Sequence, residues 1–153
     1  MENAENVGTH LIVDAWSCPT DLLDDLPFIE KTVVEAVSVG GGTLIDICVH
    51  KFSPHGVTAN ASLAESHISV HTWPELGYFA ADLFFCGKGD PERALACIES
   101  LLKPKRSRVL RIERGAERAN IQARTQEKGS AALSERFRPV RASASRGRTT
   151  RGT

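Results

Sequence analysis

Apolar and polar positions alternate through HLIVDAW (residues 10–16), which predicts a strand with Leu11, Val13 and Ala15 on one face. Cys18-Pro19-Thr20 punctuates it. From about Asp21 to Ser38 the period lengthens, with Leu22, Leu23, Leu26, Ile29, Val33, Val34 and Val37 recurring at helical spacing. Pro27 is awkward in a helix interior but fits the first turn of a helix capped by Asp25. Gly40-Gly41-Gly42 is the expected stop.

Thr43–Phe52 is β-branched and aromatic, hence a second strand, broken by Pro54 and Gly56. VTANASLAES (Val57–Ser66) reads as a third, more polar strand. HISVHTW and YFAADLFFC then flank Pro74-Glu75-Leu76-Gly77, a four-residue hairpin loop. With that loop Trp73 opposes Tyr78, and the register pairs His71 with Ala80, Ser69 with Asp82, His67 with Phe84, and Glu65 with Cys86. One face of the hairpin carries His67, Ser69, His71, Asp82 and Cys86 among aromatics. The other carries Ile68, Val70, Phe79, Ala81, Leu83 and Phe85, the side to be covered by helices.

Asp90-Pro91-Glu92 is a helix N-cap followed by proline at the first helical position, and that helix runs to about Lys103. Arg108–Glu113 is a last strand. The order βα-ββββ-αβ predicts an α+β fold, a two-layer sandwich of an antiparallel sheet with helices on one face. Residues 1–114 form the expected domain. From residue 115 to 153 the sequence is Arg, Ala, Ser, Thr and Gly with little apolar content, and is expected to be a mostly disordered basic tail.

An apolar fraction of 41% and a charged fraction of 25% are ordinary for a globular domain. The formal charge of zero conceals a division: residues 115–153 hold nine Lys/Arg against three Asp/Glu, leaving ten against sixteen in the rest. No apolar run is long enough to span a bilayer, and MENAENVGTH lacks the layout of a signal peptide. Cys18, Cys48, Cys86 and Cys97 have no CxxC spacing, which fits a reduced compartment and not a disulfide framework. The expected location is the cytoplasm.

The polar hairpin face admits several readings. It is either a half-exposed sheet face with ordinary polar residues or the lining of a ligand pocket around the Glu65–Ser66 bond. His67, His71 and Cys86 are zinc-ligand types, but a His-x3-His spacing on a strand separates the two rings by about 13 Å, so no metal is expected. A serine hydrolase would want a G-x-S-x-G elbow, whereas Ser66 follows Glu. No Gly-Lys-Ser/Thr follows the triple glycine, which excludes a P-loop. Ser66 and His71, five apart, would point oppositely in a continuous strand, so joint action requires a bulge or a strand end near Ser66.

The string ESHISVHTWPELGY, followed by CG ahead of a helix, closely resembles the short prokaryotic type of S-adenosylmethionine decarboxylase, a pyruvoyl-dependent enzyme made as a self-cleaving proenzyme. GTHLIVDAWSCPTDLLDD resembles that family's opening strand and helix start, FIEKTVVEA its first helix, and HKFSPHGVT the approach to the cleavage strand. Together they cover about residues 8–114.

The resemblance implies two stages of chemistry. In maturation the Ser66 hydroxyl attacks the Glu65 carbonyl, and the resulting ester is eliminated by loss of the Ser66 α-proton. This splits the chain and leaves a covalently bound pyruvoyl group derived from Ser66. The implied base is His71, imidazole being the usual general base near neutral pH, with the Thr58 hydroxyl assisting at a position often held by serine. In decarboxylation the substrate's amino group forms a Schiff base with the pyruvoyl ketone, which serves as the electron sink, and Cys86 returns a proton. Phe52 is the implied adenine-stacking residue, and Glu75 is placed to accept ribose hydroxyls. The product would be the aminopropyl donor of spermidine biosynthesis, and the protomers would pair as a homodimer of two short and two long chains.

Two rivals share these residues: a pyruvoyl arginine decarboxylase on the same scaffold, and an unprocessed partner subunit without activity. Two features depart from the family pattern. TANASLAE, with Asn60 and Ser62, is more polar than the usual apolar run there, which predicts a loosened strand. The arginine-rich tail has no family role, and is read as a passive extension or a site for anionic partners; nucleic acid is not expected among the partners.

Overall fold

The computed structural model describes residues 6–128 and 137–140. Its elements are β1 (Gly8–Trp16), α1 (Thr20–Leu23), α2 (Leu26–Val39), β2 (Leu44–Lys51), β3 (Val57–Leu63), β4 (Ser66–Trp73), a 3-10 turn (Pro74–Leu76), β5 (Tyr78–Cys86), α3 (Pro91–Leu102), β6 (Arg106–Arg114), β7 (Asn120–Glu127) and β8 (Arg138–Pro139). The strands form one antiparallel sheet in the order β2-β3-β4-β5-β1-β6-β7-β8. The α+β expectation holds. None of the described helices is long and apolar enough to cross a membrane.

The alternation of the strands sorts the sheet into two faces. Leu11, Val13, Ala15, Ala59, Ala61, Ile68, Val70, Phe79, Leu83 and Phe85 are buried on one side. Against them lie Ile29, Val33, Ala36 and Val37 of α2 and Ala94, Leu95, Ile98 and Leu102 of α3. α2 and α3 each start on the expected aspartate: Asp25 accepts from the Phe28 amide at 3.0 Å, and Asp90 from those of Glu92 and Arg93 at 3.0 and 3.2 Å. Thr72 is a buried hydroxyl in this layer. It donates to the Leu23 carbonyl at 2.7 Å and accepts from the Val57 amide at 2.9 Å, tying α1 to the sheet.

Val57, Ala59, Ala61 and Leu63 face the helices while Thr58, Asn60 and Ser62 face away, and β3 pairs along its length with both β2 and β4. The strand is alternating, not loosened. It is also shorter than expected, because a two-residue turn, Ala64–Glu65, separates it from β4.

Residues 120–127, expected to be disordered, form β7 against Arg106 to Glu113 of β6, so the sheet continues past residue 114. Arg124 of β7 bonds Glu92 of α3 at 3.2 Å, and the Phe137 ring lies under the Arg124 guanidinium at 4.8 Å. The rest of the expected tail, 129–136 and 141–153, lies outside the described residues.

The sheet face away from the helices carries mostly half-buried side chains. On it Tyr78 donates to Asp14 at 2.6 Å, and Arg108 bonds the other oxygen of the same carboxylate at 2.6 Å. Burial and the Asp14 bond push the Tyr78 phenol up to about 12. This is the chain's single tyrosine, so tyrosinate absorbance near 295 nm reports it alone. Because the folded pKa is raised, the stabilisation is fully present below the ordinary value of about 10 and is lost as pH climbs towards the folded value. The expected outcome is little tyrosinate signal at pH 10.5 in the folded protein and a strong one in urea. Asp14→Asn shifts the folded midpoint down towards the ordinary value.

Candidate active site

The turn between β3 and β4 is held on three sides. Leu63 pairs with Ser66 across it, closing the loop on Ala64 and Glu65. On one flank the Glu65 carbonyl oxygen accepts two hydrogen bonds from Cys86 at the end of β5, one from the backbone N–H at 3.0 Å and one from Sγ at 2.7 Å. On the other flank the Glu65 carboxylate accepts from the N–H and the hydroxyl of Thr43, at 2.9 and 3.1 Å. The Thr43 amide hydrogen bond is the main reason that this carboxyl sits below its ordinary range. The Ala64 N–H in turn donates to the Thr43 carbonyl at 3.0 Å.

Ser66 opens β4 with a φ of 153°, a conformation that L-residues rarely adopt and that costs about 1–3 kcal/mol. Simple alternation would send its side chain to the helix side with Ile68 and Val70, which are fully buried. Ser66 is instead half-buried. β4 begins at Ser66, so a strand end lies there, while the pairing with β3 and β5 runs through Ser66 without a register shift.

Cys86 owes its place to the neighbouring strand. Gly8 of β1 pairs with Cys86, and a Cβ at Gly8 would stand 2.5 Å from the Phe85 carbonyl oxygen and 3.0 Å from the Cys86 Cα. Only glycine permits β1 to approach so closely there. The Phe85 ring is buried under the helices, and Gly89 yields it space, since a Cβ there would lie 2.4 Å from the ring. Cys86 is thus delivered by a rigid strand end between a buried aromatic and a turn at Gly87, whose φ is +71°.

The predicted β4–β5 register is reproduced: Trp73 opposes Tyr78, His71 opposes Ala80, Ser69 opposes Asp82 and His67 opposes Phe84. The expectation that this register gathers both histidines around the Glu65–Ser66 bond is not met. His71 pairs with Thr58, and the Thr58 hydroxyl lies 2.9 Å from His71 Nδ1. That pair stands five residues along β4 from Ser66, about 17 Å at the rise of a β-strand and beyond the reach of an imidazole. Phe52 and Glu75 belong to the His71 end. Phe52, exposed and packed edge-on against His50 at 4.6 Å, follows β2, whose His50 pairs with Thr58; Glu75 is exposed in the 3-10 turn after Trp73.

The chain therefore separates the candidate site residues into two groups on its sheet: Glu65, Ser66 and Cys86 at one end, and Thr58, His71, Phe52 and Glu75 at the other. Between them His67 faces His10 at 5.8 Å, and His10 Nε2 lies 3.4 Å from Asp82. Burial, only partly offset by Asp82, holds the His10 imidazole below its ordinary range. No group of three His, Cys, Asp or Glu side chains among the described residues is placed to hold a metal ion. Thr43 was not visible in the sequence as a site residue. It is 22 residues from Glu65 and carries no motif.

Comparison with known proteins gives a consistent set of matches. Residues 9–115 match the model of the family described as S-adenosylmethionine decarboxylase. An S-adenosylmethionine decarboxylase proenzyme of Methanococcus maripaludis is 52% identical over 112 residues, covering 72% of this chain and 92% of the relative. That of Thermosipho melanesiensis is 39% identical over 112 residues, covering 72% and 86%. The crystal structure of the adenosylmethionine decarboxylase from Aquifex aeolicus superposes with a TM-score of 0.70 at 36% identity, covering 75% of this chain and 96% of that one.

The close approach at Gly8 is directly testable. Gly8→Ala is expected to destabilise the fold by about 1–3 kcal/mol through overpacking against backbone. It is also expected to loosen the Cys86–Glu65 contact. Urea titration reads the first effect, and peptide-mapped alkylation at Cys86, several-fold faster than in the wild type, reads the second.

Proposed function

The chain belongs to the S-adenosylmethionine decarboxylase family, and from that premise we propose that it cuts itself between Glu65 and Ser66 and then decarboxylates S-adenosylmethionine through a pyruvoyl group formed from Ser66. The observation that carries the reading is the pair of hydrogen bonds from Cys86 to the Glu65 carbonyl oxygen. An acyl shift builds negative charge on that oxygen, and donors already aimed at it stabilise the charge without reorganisation. Ser66 fits the role of precursor: it follows the polarised carbonyl, its hydroxyl is one residue away, and its backbone is held in a rarely adopted conformation.

The steps balance on the chain's own atoms. Ser66 Oγ attacks the Glu65 carbonyl carbon, the peptide C–N bond breaks, and an ester links the two residues. A base then removes the Ser66 α-proton as the Cβ–Oγ bond breaks. Glu65 leaves as the carboxylate end of a 65-residue chain, and the remaining dehydroalanine takes up water and releases ammonia. The long chain is then 88 residues, opening on the pyruvoyl group. That group supplies a ketone for the substrate's amino group and an electron sink for the departing CO2. Cys86 is the proton donor for the carbon left behind. The product would be the aminopropyl donor of spermidine biosynthesis.

His71 is the base proposed for the α-proton. If Nδ1–H donates to Thr58 Oγ1, Nε2 is left free to accept. Its distance from Ser66 in the same chain points to a pair of protomers with apposed open sheet faces. The Thr58–His71 end of one copy then completes the Ser66–Cys86 end of the other, and brings Phe52 to the adenine and Glu75 to the ribose. This supports a homodimer of two short and two long chains.

Intact-mass spectra test the first claim: the wild type yields two chains split after Glu65, and Ser66→Ala stays whole. A wild-type chain that persists uncut would end the reading and leave the non-catalytic partner subunit. Mixed expression of separately tagged Ser66→Ala and His71→Ala chains tests the second. The His71→Ala chain is expected to stay whole alone, or to cleave at least a hundredfold more slowly, and to be cut when the Ser66→Ala chain supplies His71. No rescue on mixing would overturn the shared site.

A further inference from the structure

We propose that Thr43 is a positioning residue for the self-cleavage, using its hydroxyl and its amide to hold the Glu65 carboxylate while Cys86 holds the Glu65 carbonyl. The inference rests on the cleavage reading above and assigns to it a residue outside the motif that suggests that reading.

All three polar groups of Thr43 are spent on the cleavage turn. Its amide N–H and its hydroxyl donate to the two oxygens of one carboxylate at 2.9 and 3.1 Å, and its carbonyl accepts from the Ala64 N–H at 3.0 Å. The ladder between β2 and β3 begins at Leu44–Leu63, so Thr43 stands just beyond it, opposite the turn. A two-residue turn between strands has no packing of its own to hold it still. Thr43 and Ala64 are exposed, and neither contributes to the core.

The chemistry needs that stillness. Attack by Ser66 Oγ requires the Glu65 carbonyl carbon to be presented at a fixed angle and a short distance, and a small misplacement is costly in rate. Cys86 fixes the oxygen of that carbonyl but leaves the peptide plane free to rock about it. A second anchor on the same residue's side chain, on the opposite flank, removes that freedom. Bonds that accept on an ionised carboxylate are the stronger kind, which suits an anchor exposed to water.

The anchor is itself fixed to the helix layer. Thr43 follows the glycine stop of α2, where the Gly40 N–H donates to the Ala36 carbonyl at 2.9 Å and the Asp90 N–H donates to the Gly40 carbonyl at 2.8 Å. The Gly42 N–H donates to the Val37 carbonyl at 2.9 Å, and a Cβ at Gly42 would come within 3.3 Å of the Phe85 ring. The ends of both long helices and the residue preceding Cys86 thereby set the position from which Thr43 reaches Glu65.

The test follows self-cleavage of the full chain from its uncut form by gel and intact mass. Thr43→Val, which keeps the shape and the amide but loses the hydroxyl, is expected to cleave about tenfold more slowly, and Thr43→Ser to recover most of the wild-type rate. Glu65→Ala, which removes the other half of the clamp, is expected to be at least as slow. Adding Thr43→Val to Glu65→Ala should then cost nothing more, the mark of two residues acting through one contact. Melting temperatures within a few degrees of the wild type separate positioning from loss of fold. Cleavage of Thr43→Val at the wild-type rate, or full additivity with Glu65→Ala, would overturn the clamp while leaving the cleavage reading intact. A wild type that never cleaves would overturn both.

Discussion

A slip of one residue between β4 and β5 would turn every side chain of one strand to the opposite face, and the Glu65 carbonyl would lose both of its donors. The site depends on that register before it depends on any reactive group. Two unlike devices hold it. At one end the 3-10 turn Pro74–Leu76 closes on Gly77, whose φ of +58° lets the chain reverse between Trp73 and Tyr78. Along its length Ile68, Val70, Phe79, Leu83 and Phe85 must all face the helices, so no neighbouring register buries the same core. The far end of the hairpin needs no separate specification, because Cys86 arrives beside Glu65 once these constraints are met.

The same register keeps the proposed base apart from Ser66 within one chain. A strand fixes which face a residue occupies, and it also spaces residues at a constant rise. Thr58 and His71 are cross-strand neighbours and meet at 2.9 Å, while Ser66 and His71 share a strand and are kept apart by it. No side-chain rotation closes that gap, and a bend sharp enough to do so would dismantle the pairing of β4 with β3 and β5. Supplying the base from a second sheet costs no such distortion. The half-buried open face, with Ile12, Leu110 and Ile112 among its side chains, is a surface on which a second sheet can lie.

What the sequence made legible follows from these distinctions. Period-two alternation and turn chemistry are local, so the strands, the helix caps at Asp25 and Asp90 and the whole β4–β5 register could be read from residue order. Polar positions such as Asn60 and Ser62 misled only where their face was ignored. Parity placed His67, His71 and Cys86 on one face but said nothing of how far apart they stand along it. Thr43 was invisible because its partner is 22 residues away and joined to it by tertiary geometry alone. β7 was missed because its apolar side is only Ile121 and Ala123. It forms beside an already ordered β6, with Arg124 tied to Glu92 and Phe137, and it lies past the region, 9–115, that matches the family.

Cys86 carries the heaviest constraint in the proposed chemistry, because two reactions ask different things of one thiol. Before the cut, its Sγ–H and N–H must converge on an oxygen that is about to become negative, which requires the strand end to be stiff. After the cut, that oxygen belongs to the free carboxylate of Glu65. For the second role the thiol must stay beside the new chain end, next to the pyruvoyl group that Ser66 would become. A softer strand end would weaken the first role and free the thiol from the second. The close packing of Gly8 against the Phe85 backbone and of Gly89 against the Phe85 ring is therefore where this fold turns backbone rigidity into chemistry. It uses two residues that have no side chains to react.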